Sequence, residues 1–284
     1  MRVIDTVAAF RKELDAGRAR GRTVGLVPTM GYLHDGHASL IRRSAAERDV
    51  TAMTLFVNPL QFAANEDLST YPRDLERDIA IATDAGADVL FAPPVEQMYP
   101  DGVPVLTTVS VAGPSDGYEG ASRPTHFAGV ATVVAKLFAV AGECRAYFGE
   151  KDFQQLAVIR RMARDLSFPV DVVGCATVRE ADGLAMSSRN VRLSPEERAA
   201  APVLHRALSA GRDAIERDGV RDPAAVASVI TRIVWSEPLA ELDYAAAVRA
   251  DDLSVPSVLS GEVRLLVAAR FGSIRLIDNT GASA

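Results

Sequence analysis

The chain has 284 residues, enough for one large domain or two ordinary ones with a substantial core. Its hydrophobic share of 48% and charged share of 24% are typical of a soluble globular protein, and no stretch approaches the ~20 apolar residues of a membrane span. The net charge of −6 argues against a nucleic-acid-binding surface. We therefore expect no nucleic acid and no membrane among its partners.

The first residues and the cysteines indicate the compartment. Residues 1–5 carry an acid and lack the apolar core of a signal peptide. Cys144 and Cys175 lie in apolar, strand-like runs, which suits small buried side chains in a reducing environment better than a disulfide. Four histidines and two cysteines in all argue against a structural zinc site. These features predict a cytoplasmic protein without a structural zinc site.

Strand-like and helix-like segments alternate along the first two-thirds of the chain. Apolar, β-branched runs predict strands at 23–27, 50–57, 88–92, 105–111, 145–148 and 170–178. Helical patterns cover 38–46, 74–85, 127–141 and 153–166. The second helix carries Leu75, Ile79 and Ala82 on one face, and the third is apolar nearly all round apart from Thr132 and Lys136. The alternation predicts an α/β fold, a Rossmann-like doubly wound parallel sheet with ligands outside the carboxyl ends of its strands.

The pattern changes after residue 180. Charged, amphipathic segments predict one long helix at 195–217 and a second at 222–235, and β-rich runs follow at 242–248, 263–269 and 274–277. We expect a Rossmann-like domain at 1–179 and a smaller α+β domain at 180–284, with an antiparallel sheet in the latter. The tail 281–284 is expected to fray.

The most informative segment is 28–37, Pro-Thr-Met-Gly-Tyr-Leu-His-Asp-Gly-His, at the junction of a predicted strand and helix. Gly31 and Gly36 allow the backbone to approach a ligand, and a helix N-terminus offers free N–H groups to an anion. His34 and His37 are three residues apart, so both imidazoles can face one phosphate. A pair of ordinary loop histidines is the commoner meaning of an isolated H-x-x-H. The strand and the glycines favour a nucleotide site.

Two amides follow the second strand, in the segment 56–62 (FVNPLQF). Asn58 and Gln61 can hold a hydroxyl, carboxylate or amine without burying a charge. A turn capped by Asn58 and Pro59 would explain those two residues but not Gln61 between aromatic neighbours.

A third cluster, 147–155 (YFGEKDFQQ), links a predicted strand to a helix. Gly149 permits close backbone approach, and Lys151 offers a point charge for phosphate. Asp152 suits a helix N-cap or a partner for ribose hydroxyls. Gln155 shares a helix face with Asp152 and is directed at the strand ends.

The segment 179–190 (READGLAMSSRN) places two hydroxyls and a guanidinium within a few residues. Met186 to Arg189 could form a mobile loop that closes on a triphosphate, whereas a solvated Ser-rich linker between domains is the alternative. Arg123 and His126, ahead of the predicted helix 127–141, could anchor that helix or serve the site, and the sequence favours neither.

In this order, six stretches resemble the pantothenate synthetase (pantoate–β-alanine ligase) family of the HIGH-motif nucleotidyltransferase superfamily. They are PTMGYLHDGH at 28–37, FVNPLQF at 56–62, YPRDLERD at 71–78, RPTHFAGVATVVAKLF at 123–138, YFGEKDFQQL at 147–156 and READGLAMSSRN at 179–190. His34 to His37 correspond to the HIGH element, and Ala185 to Arg189 resemble a KMSKS-type loop. Ser188 and Arg189 stand where synthetases of the tRNA class tend to place lysine, and Tyr32 and Arg192 occupy variable positions of the motifs.

The resemblance implies ATP-dependent condensation of (R)-pantoate with β-alanine through a pantoyl adenylate, with release of AMP and pyrophosphate. It assigns catalysis to His37, His34, Lys151 and Arg189. The implied ATP contacts are Met30, Gly31, Tyr32, Leu33, His34, Asp35, Gly36, His37, Gly149, Glu150, Lys151, Asp152, Val178, Met186, Ser187, Ser188 and Arg189. Gln61 and Gln155 would hold pantoate, with Gln61 and Asn58 near the path of β-alanine. Mg²⁺ on the triphosphate and a homodimer are also implied.

Two other functions remain open from the residues alone. A plain nucleotidyltransferase would stop after transfer of the nucleotidyl group and would need no acceptor amine. A non-catalytic nucleotide-binding module would bind ATP without producing pyrophosphate under any pair of substrates. The acidic net charge makes tRNA binding the weakest alternative.

Overall fold

In the computed structural model, which describes residues 1–62, 68 and 71–284, the chain divides into two units. The first comprises Met1–Glu150 and Val158–Ala176, and the second comprises Lys151–Ala157 and Thr177–Ala284. The sequence predicted a division between residues 179 and 180. In the structure the second unit begins three residues earlier, and it includes the short segment from Lys151 to Ala157, which no change of composition marks.

The first unit is built on a six-stranded parallel sheet, as predicted. Its strands are β1 (Arg2–Ile4), β2 (Val24–Thr29), β3 (Val50–Leu55), β4 (Val89–Phe91), β5 (Cys144–Gly149) and β6 (Val170–Cys175). They lie in the order β1-β4-β3-β2-β5-β6. The chain winds outward from β2 in one direction through β3 and β4 and in the other through β5 and β6, which is the doubly wound arrangement.

Helices accompany these strands, including α7, which runs across the division between the units. They are α1 (Val7–Arg18), α2 (Asp35–Glu47), α3 (Leu75–Asp84), α4 (Val95–Met98), α5 (Tyr118–Ser122), α6 (His126–Ala141) and α7 (Phe153–Asp165). The sequence analysis missed β1 and α1. The helical signal was present, because Phe10, Leu14 and Gly17 recur at helical spacing on the buried face of α1.

Helix α6 is buried over most of its surface, as predicted. Its polar line makes specific bonds: the Thr132 hydroxyl donates to Ala128 O at 2.7 Å and accepts from Val109 N at 2.9 Å. Lys136 Nζ donates to Met98 O. Helix α3 departs from the prediction, because Leu75 is 47% exposed and the side chain buried beside Ala82 is Asp78.

The predicted strand at 105–111 is wrong. No strand covers these residues, and Leu106 is 97% exposed. The β-branched residues of this segment favour a strand, but a strand also requires a neighbouring strand to pair with. The described backbone here is tied instead to the side chain of Thr132.

The second unit contains a three-stranded antiparallel sheet, as predicted, with strands β7 (Ala240–Arg249), β8 (Glu262–Phe271) and β9 (Ile274–Ser283). Helices α8 (Pro195–Ala200), α9 (Val203–Glu216) and α10 (Pro223–Trp235) accompany it. Its apolar core includes Leu204, Leu208, Val226, Ile230, Leu265, Val267 and Phe271.

Two predictions for this unit are wrong. The expected single helix at 195–217 is interrupted between α8 and α9, where Pro202 lacks an amide donor for the ladder. The tail does not fray, because β9 pairs with β8 as far as Ser283 and Ala284 N donates to Gly261 O at 2.9 Å. The backbone hydrogen bonds to β8 outweigh the low β-propensity of the small residues in the tail.

Both cysteines are buried and neither forms a disulfide. Burial raises the pKa of both thiols, that of Cys144 to about 12, so the groups remain neutral. None of the helices in the described ranges is long and apolar enough to cross a membrane.

Candidate nucleotide and substrate site

Three loops leave the same edge of the first unit's sheet. Strands β3, β2 and β5 are parallel neighbours, so the segments that follow Leu55, Thr29 and Gly149 start at adjacent carboxyl ends. The chain reverses its direction of winding between β2 and β5. Ligands of open α/β sheets bind in the crevice at this kind of switch point.

The loop from β2 to α2 is held by a carboxylate that the sequence analysis did not assign to the site. Asp78 of α3 accepts from Tyr32 N at 2.8 Å and from Leu33 N at 2.7 Å, and it is only 1% exposed. The backbone of the loop is left-handed at Gly31 (φ 86°) and Tyr32 (φ 51°). A carboxylate paired with two amides can hold such a conformation. The sequence did contain a signal for the role of Asp78, since this acid occupies a core-facing position of α3 beside Ile79.

His34 and His37 form the first turn of α2 and bond to it reciprocally. His34 Nδ1 accepts from Gly36 N at 3.1 Å, and His34 N donates to His37 Nδ1 at 3.3 Å. Their ring centroids are 4.0 Å apart. Because each Nδ1 accepts a hydrogen bond, each neutral ring carries its proton on Nε2. The two side chains thus cap the helix with their rings side by side.

The amides after β3 have different environments. Asn58 is fully buried, and each of its polar atoms has two protein partners: Nδ2 donates to Gln61 Oε1 and Gly129 O, and Oδ1 accepts from Leu60 N and Tyr99 Oη. Its hydrogen-bonding capacity is therefore filled by the protein. Gln61 Nε2 has no partner in the described part of the chain. The geometry makes Asn58 the residue that orients Gln61.

Arg123 and His126, whose roles the sequence left open, both contact the same main-chain carbonyl. Arg123 donates to Gln61 O at 3.1 Å, and His126 Nδ1 lies 3.2 Å from the same atom. Gly129, one turn further along α6, packs directly on the loop: a Cβ there would lie 2.2 Å from Leu60 O. The start of α6 therefore fixes the main chain of Gln61.

Gly149 ends β5 at the carboxyl edge. A Cβ at this position would meet no protein atom within 4 Å, and the backbone does not have a positive φ. Neither protein packing nor backbone conformation requires glycine here.

In the second unit, Lys151 and Asp152 lie in a 3-10 turn directly before α7. Lys151 Nζ is 3.1 Å from Asp152 Oδ1, and the side chains are 18% and 47% exposed. Gln155, one turn into the helix, is half-buried, and no partner of its side-chain amide occurs among the residues described. Lys151 is thus partly shielded from water, which strengthens its attraction for anions.

The segment 178–190 folds back on itself. Met186 N donates to Val178 O at 3.0 Å, Glu180 N donates to Leu184 O at 2.8 Å, and Asn190 Nδ2 donates to Ala185 O at 3.1 Å. These bonds make a hairpin-like loop of 178–186 and tie its end to the following turn. The alternative of a solvated linker does not describe this segment.

A small cleft in the second unit brings two of the predicted cations together. Its lining includes Ser187 and Arg189, Lys151 from more than thirty positions earlier in the sequence, and Asp278 of β9. Met186 and Ser188 do not line it. A cleft with an ammonium, a guanidinium and a hydroxyl is suited to phosphate groups.

A parallel sheet with a switch point and an H-x-x-H pair capping the helix after β2 are typical of the nucleotide-binding class of α/β proteins. Comparison with known proteins is more specific. The family model "Pantoate-beta-alanine ligase" matches residues 2–281. The pantothenate synthetase of Agrobacterium fabrum is 52% identical over 280 residues, which cover 98% of this chain and 95% of that protein.

Solved structures agree. The pantothenate synthetase of Thermus thermophilus is 50% identical, with a TM-score of 0.92 and complete coverage of both chains. The pantoate–beta-alanine ligase of Francisella tularensis, solved with beta-gamma ATP and beta-alanine, is 32% identical with a TM-score of 0.78, covering 99% of this chain and 97% of that one. The chain belongs to the pantoate–β-alanine ligase family, and it is a ligase.

Proposed function

We propose that this protein condenses (R)-pantoate with β-alanine to give pantothenate at the expense of ATP, through a pantoyl adenylate. Family membership supports the overall reaction, and the relative from Francisella tularensis binds an ATP compound and β-alanine. The single observation that carries the proposal is the reciprocal capping of the first turn of α2 by His34 and His37, whose ring centroids lie 4.0 Å apart.

In the first step the carboxylate of pantoate attacks the α-phosphorus of ATP, and pyrophosphate leaves. Negative charge then grows on the phosphate oxygens. His37 Nε2–H acts as the acid-type donor to this charge, and His34 Nε2–H helps to hold the phosphate. The loop residues Met30, Gly31, Tyr32, Leu33, Asp35 and Gly36 bind the nucleotide with main-chain groups, in the conformation that Asp78 maintains.

The second unit contributes charge in this proposal. Lys151 and Arg189 bear on the phosphates, and Ser187 and Ser188 donate to them. Asp152 accepts from the ribose hydroxyls, while Gly149, Glu150, Val178 and Met186 complete the nucleotide contacts. The supporting observation is the cleft that Lys151, Ser187 and Arg189 line.

For pantoate we propose Gln61 and Gln155, whose side-chain donors have no partner in the described chain. Asn58, which we expected near β-alanine, acts through Gln61. In the second step the amine of β-alanine attacks the acyl carbon of the adenylate, and AMP leaves. A carboxamide next to a buried asparagine provides the uncharged donors that this partly polar substrate needs.

We propose that Mg²⁺ accompanies ATP and neutralises part of the triphosphate charge. Among residues 1–62, 68 and 71–284, no group of three or more His, Cys, Asp and Glu side chains could hold a metal ion. The donor set of the protein therefore fits a cation held by phosphate oxygens and water rather than by a protein cage.

The order of chemistry is tested by isotope exchange. Labelled pyrophosphate should exchange into ATP when ATP, Mg²⁺ and pantoate are present and β-alanine is absent, because the adenylate forms reversibly. Addition of β-alanine should release AMP and pantothenate, whereas glycine, one methylene shorter, should react slowly because its amine is misplaced. Absence of exchange in folded enzyme would remove the adenylate route. Exchange without pantoate would favour the plain nucleotidyltransferase.

The role of the histidines can be tested without damaging the helix. His37→Gln keeps an acceptor for His34 N, and glutamine is a normal third residue of a capping box, so α2 should persist. Loss of the imidazole donor should slow pantoate-dependent pyrophosphate release by roughly 100- to 1,000-fold in single turnovers, with little change in ATP affinity. The matched variant His34→Asn keeps the N-cap and should weaken ATP binding more than chemistry. Equal losses of binding and rate in His37→Gln would reduce His37 to a binding residue.

We also propose a cytoplasmic homodimer, on the strength of the family resemblance. Light scattering on the purified protein at assay concentration measures the oligomeric state directly, and a monomer mass would contradict the dimer.

A further inference from the structure

Strand β9 contains two adjacent polar residues that are buried. Asp278 and Asn279 are each only 4% exposed, although burying a polar side chain costs free energy unless it is hydrogen-bonded. Neither residue belongs to the motifs that the sequence analysis identified. Among their partners, Lys151 and Arg179 lie about a hundred or more positions away in the sequence, and both belong to the second unit.

Asn279 holds the main chain of the phosphate-binding turn. Its Nδ2 donates to Lys151 O at 2.7 Å, across 128 positions of sequence. Its Oδ1 accepts from Arg264 Nε at 2.7 Å, and the Arg264 guanidinium lies 3.9 Å from the centroid of the Phe153 ring. The turn is therefore held both at its carbonyl and through the first residue of α7.

Asp278 holds the hairpin-like loop. Its two carboxylate oxygens accept from Arg179 at 2.7 and 3.0 Å, and Arg179 donates to Gly183 O at 3.0 Å. Bidentate pairs of this kind fix orientation as well as position. Asp278 Oδ1 also accepts from Asn279 N at 2.7 Å, so the two side chains form one network.

We infer that Asn279 and Asp278 are positioning residues for the phosphates of ATP. Two consecutive residues of β9 hold the Lys151 turn and the loop that leads to Arg189. The Lys151 ammonium and the Arg189 guanidinium therefore keep a fixed spacing across the cleft that both residues line. The inference rests on the proposed function. Its physical basis is that a carbonyl bond and an arginine clamp set the positions of both segments without using the catalytic side chains themselves.

The most selective variant is Asn279→Asp. It keeps an oxygen for Arg264 but places a second oxygen against Lys151 O, which breaks the hydrogen bond to that carbonyl. We expect kcat/KM for ATP to fall about tenfold, as for loss of one hydrogen bond to a buried group, with KM for pantoate and β-alanine nearly unchanged. The control Ser283→Ala, at the exposed end of the same strand, should leave all three unchanged. Equal losses for all three substrates, or an unchanged kcat/KM for ATP, would overturn the inference.

A double-mutant cycle tests whether Asn279 acts through Lys151. In a Lys151→Ala background there is no ammonium left to misplace, so Asn279→Asp should reduce kcat/KM for ATP much less than in the native protein. Independent, multiplicative effects would mean that Asn279 has only a structural role. If Lys151→Ala alone leaves ATP turnover unchanged, the proposed role of Lys151 itself fails. This outcome can be told apart from multiplicative effects of the two substitutions, which would contradict only the inference about Asn279.

Arg179→Lys provides an independent second test, because it keeps the charge beside Asp278 but cannot donate to both carboxylate oxygens and to Gly183 O together. It should also lower kcat/KM for ATP about tenfold while the melting temperature stays within a few degrees of the native value. A large fall in melting temperature with an unchanged kcat/KM for ATP in the folded fraction would contradict the positioning role.

Discussion

Replacement of Gly129 by alanine should damage the pantoate site through the backbone of a neighbouring loop. In the middle of a helix this substitution normally stabilises a protein by up to about 1 kcal/mol, because alanine is the better helix former. Here the new Cβ would lie 2.2 Å from Leu60 O, 2.5 Å from the carbonyl carbon of Leu60 and 2.9 Å from Gln61 N. These are backbone atoms, which cannot rotate away as the end of a side chain can.

The size of the effect follows from these distances. Real Cβ contacts essentially never fall below 3.0 Å, so the contact at 2.2 Å requires Leu60 or α6 to move by at least 0.8 Å. Overpacking of this kind costs about 1–3 kcal/mol, and subtraction of a gain in helix propensity of about 1 kcal/mol leaves a net loss of about 0–2 kcal/mol. The movement also strains the bond from Asn58 Nδ2 to Gly129 O.

The functional consequence should be larger than the loss of stability. Displacement of a positioning element by about 1 Å can reduce a rate roughly 100-fold, so kcat/KM for pantoate should fall about 10- to 100-fold in Gly129→Ala. ATP affinity should change little, because the atoms nearest to the new Cβ belong to Leu60 and Gln61, which are not assigned to the nucleotide. Steady-state kinetics in pantoate, calorimetric titration with ATP and urea denaturation measure the three quantities.

Gly17→Ala is the matched control. Gly17 lies in α1, and a Cβ there would meet Val50 at an ordinary 3.7 Å, so this variant should be as stable as the native protein or up to about 1 kcal/mol more stable. A Gly129→Ala protein that is more stable than the native one and keeps its pantoate kinetics would refute the reasoning about the loop.

Three further outcomes are expected. Asp78→Asn turns one carboxylate oxygen into an amide donor facing Tyr32 N or Leu33 N, and it should lower stability by about 1–3 kcal/mol in urea denaturation and weaken ATP binding in titration. Gly149→Ala should leave stability nearly unchanged, because its Cβ meets no protein atom, yet should weaken ATP binding if the nucleotide approaches this backbone. His205 has a buried Nδ1 without a partner in the described chain, and burial lowers its pKa below the usual 6.5. As the pH falls below about 6.5, the unfolded chain therefore takes up the proton before the folded protein does, and the free energy of unfolding decreases. His205→Phe should make this decrease smaller, as measured by denaturation curves at pH 5.5 and 7.5.

Each of these expectations has a contrary result. Unchanged stability in Asp78→Asn would mean that the loop after β2 holds its left-handed backbone without the carboxylate. Normal ATP affinity in Gly149→Ala would remove the argument that the nucleotide passes over β5. An identical pH dependence of stability in the native protein and His205→Phe would assign the decline to other groups.

The sequence by itself determined the rhythm of the first unit and the location of the histidine motif. Apolar runs with β-branched residues and helical periodicity are local properties, so the parallel strands, α2 and the helices that bury one face could be predicted from them. The same local reasoning could place His34 and His37 on one turn. It failed where the local pattern and the surroundings disagree. Residues 105–111 have a strand-like composition but no neighbouring strand, whereas at 281–284 pairing with a neighbouring strand orders residues of low β-propensity.

Only the tertiary structure decided which polar groups hold the site in place. Asp78 supports the loop of Tyr32, Arg123 and His126 hold the carbonyl of Gln61, and Asn279 holds that of Lys151 from 128 residues away. These bonds require a donor and an acceptor within about 3 Å and in the right direction, and that condition depends on how distant elements pack. A buried polar residue in a single sequence indicates that it has a partner, but the fold alone decides which partner it is.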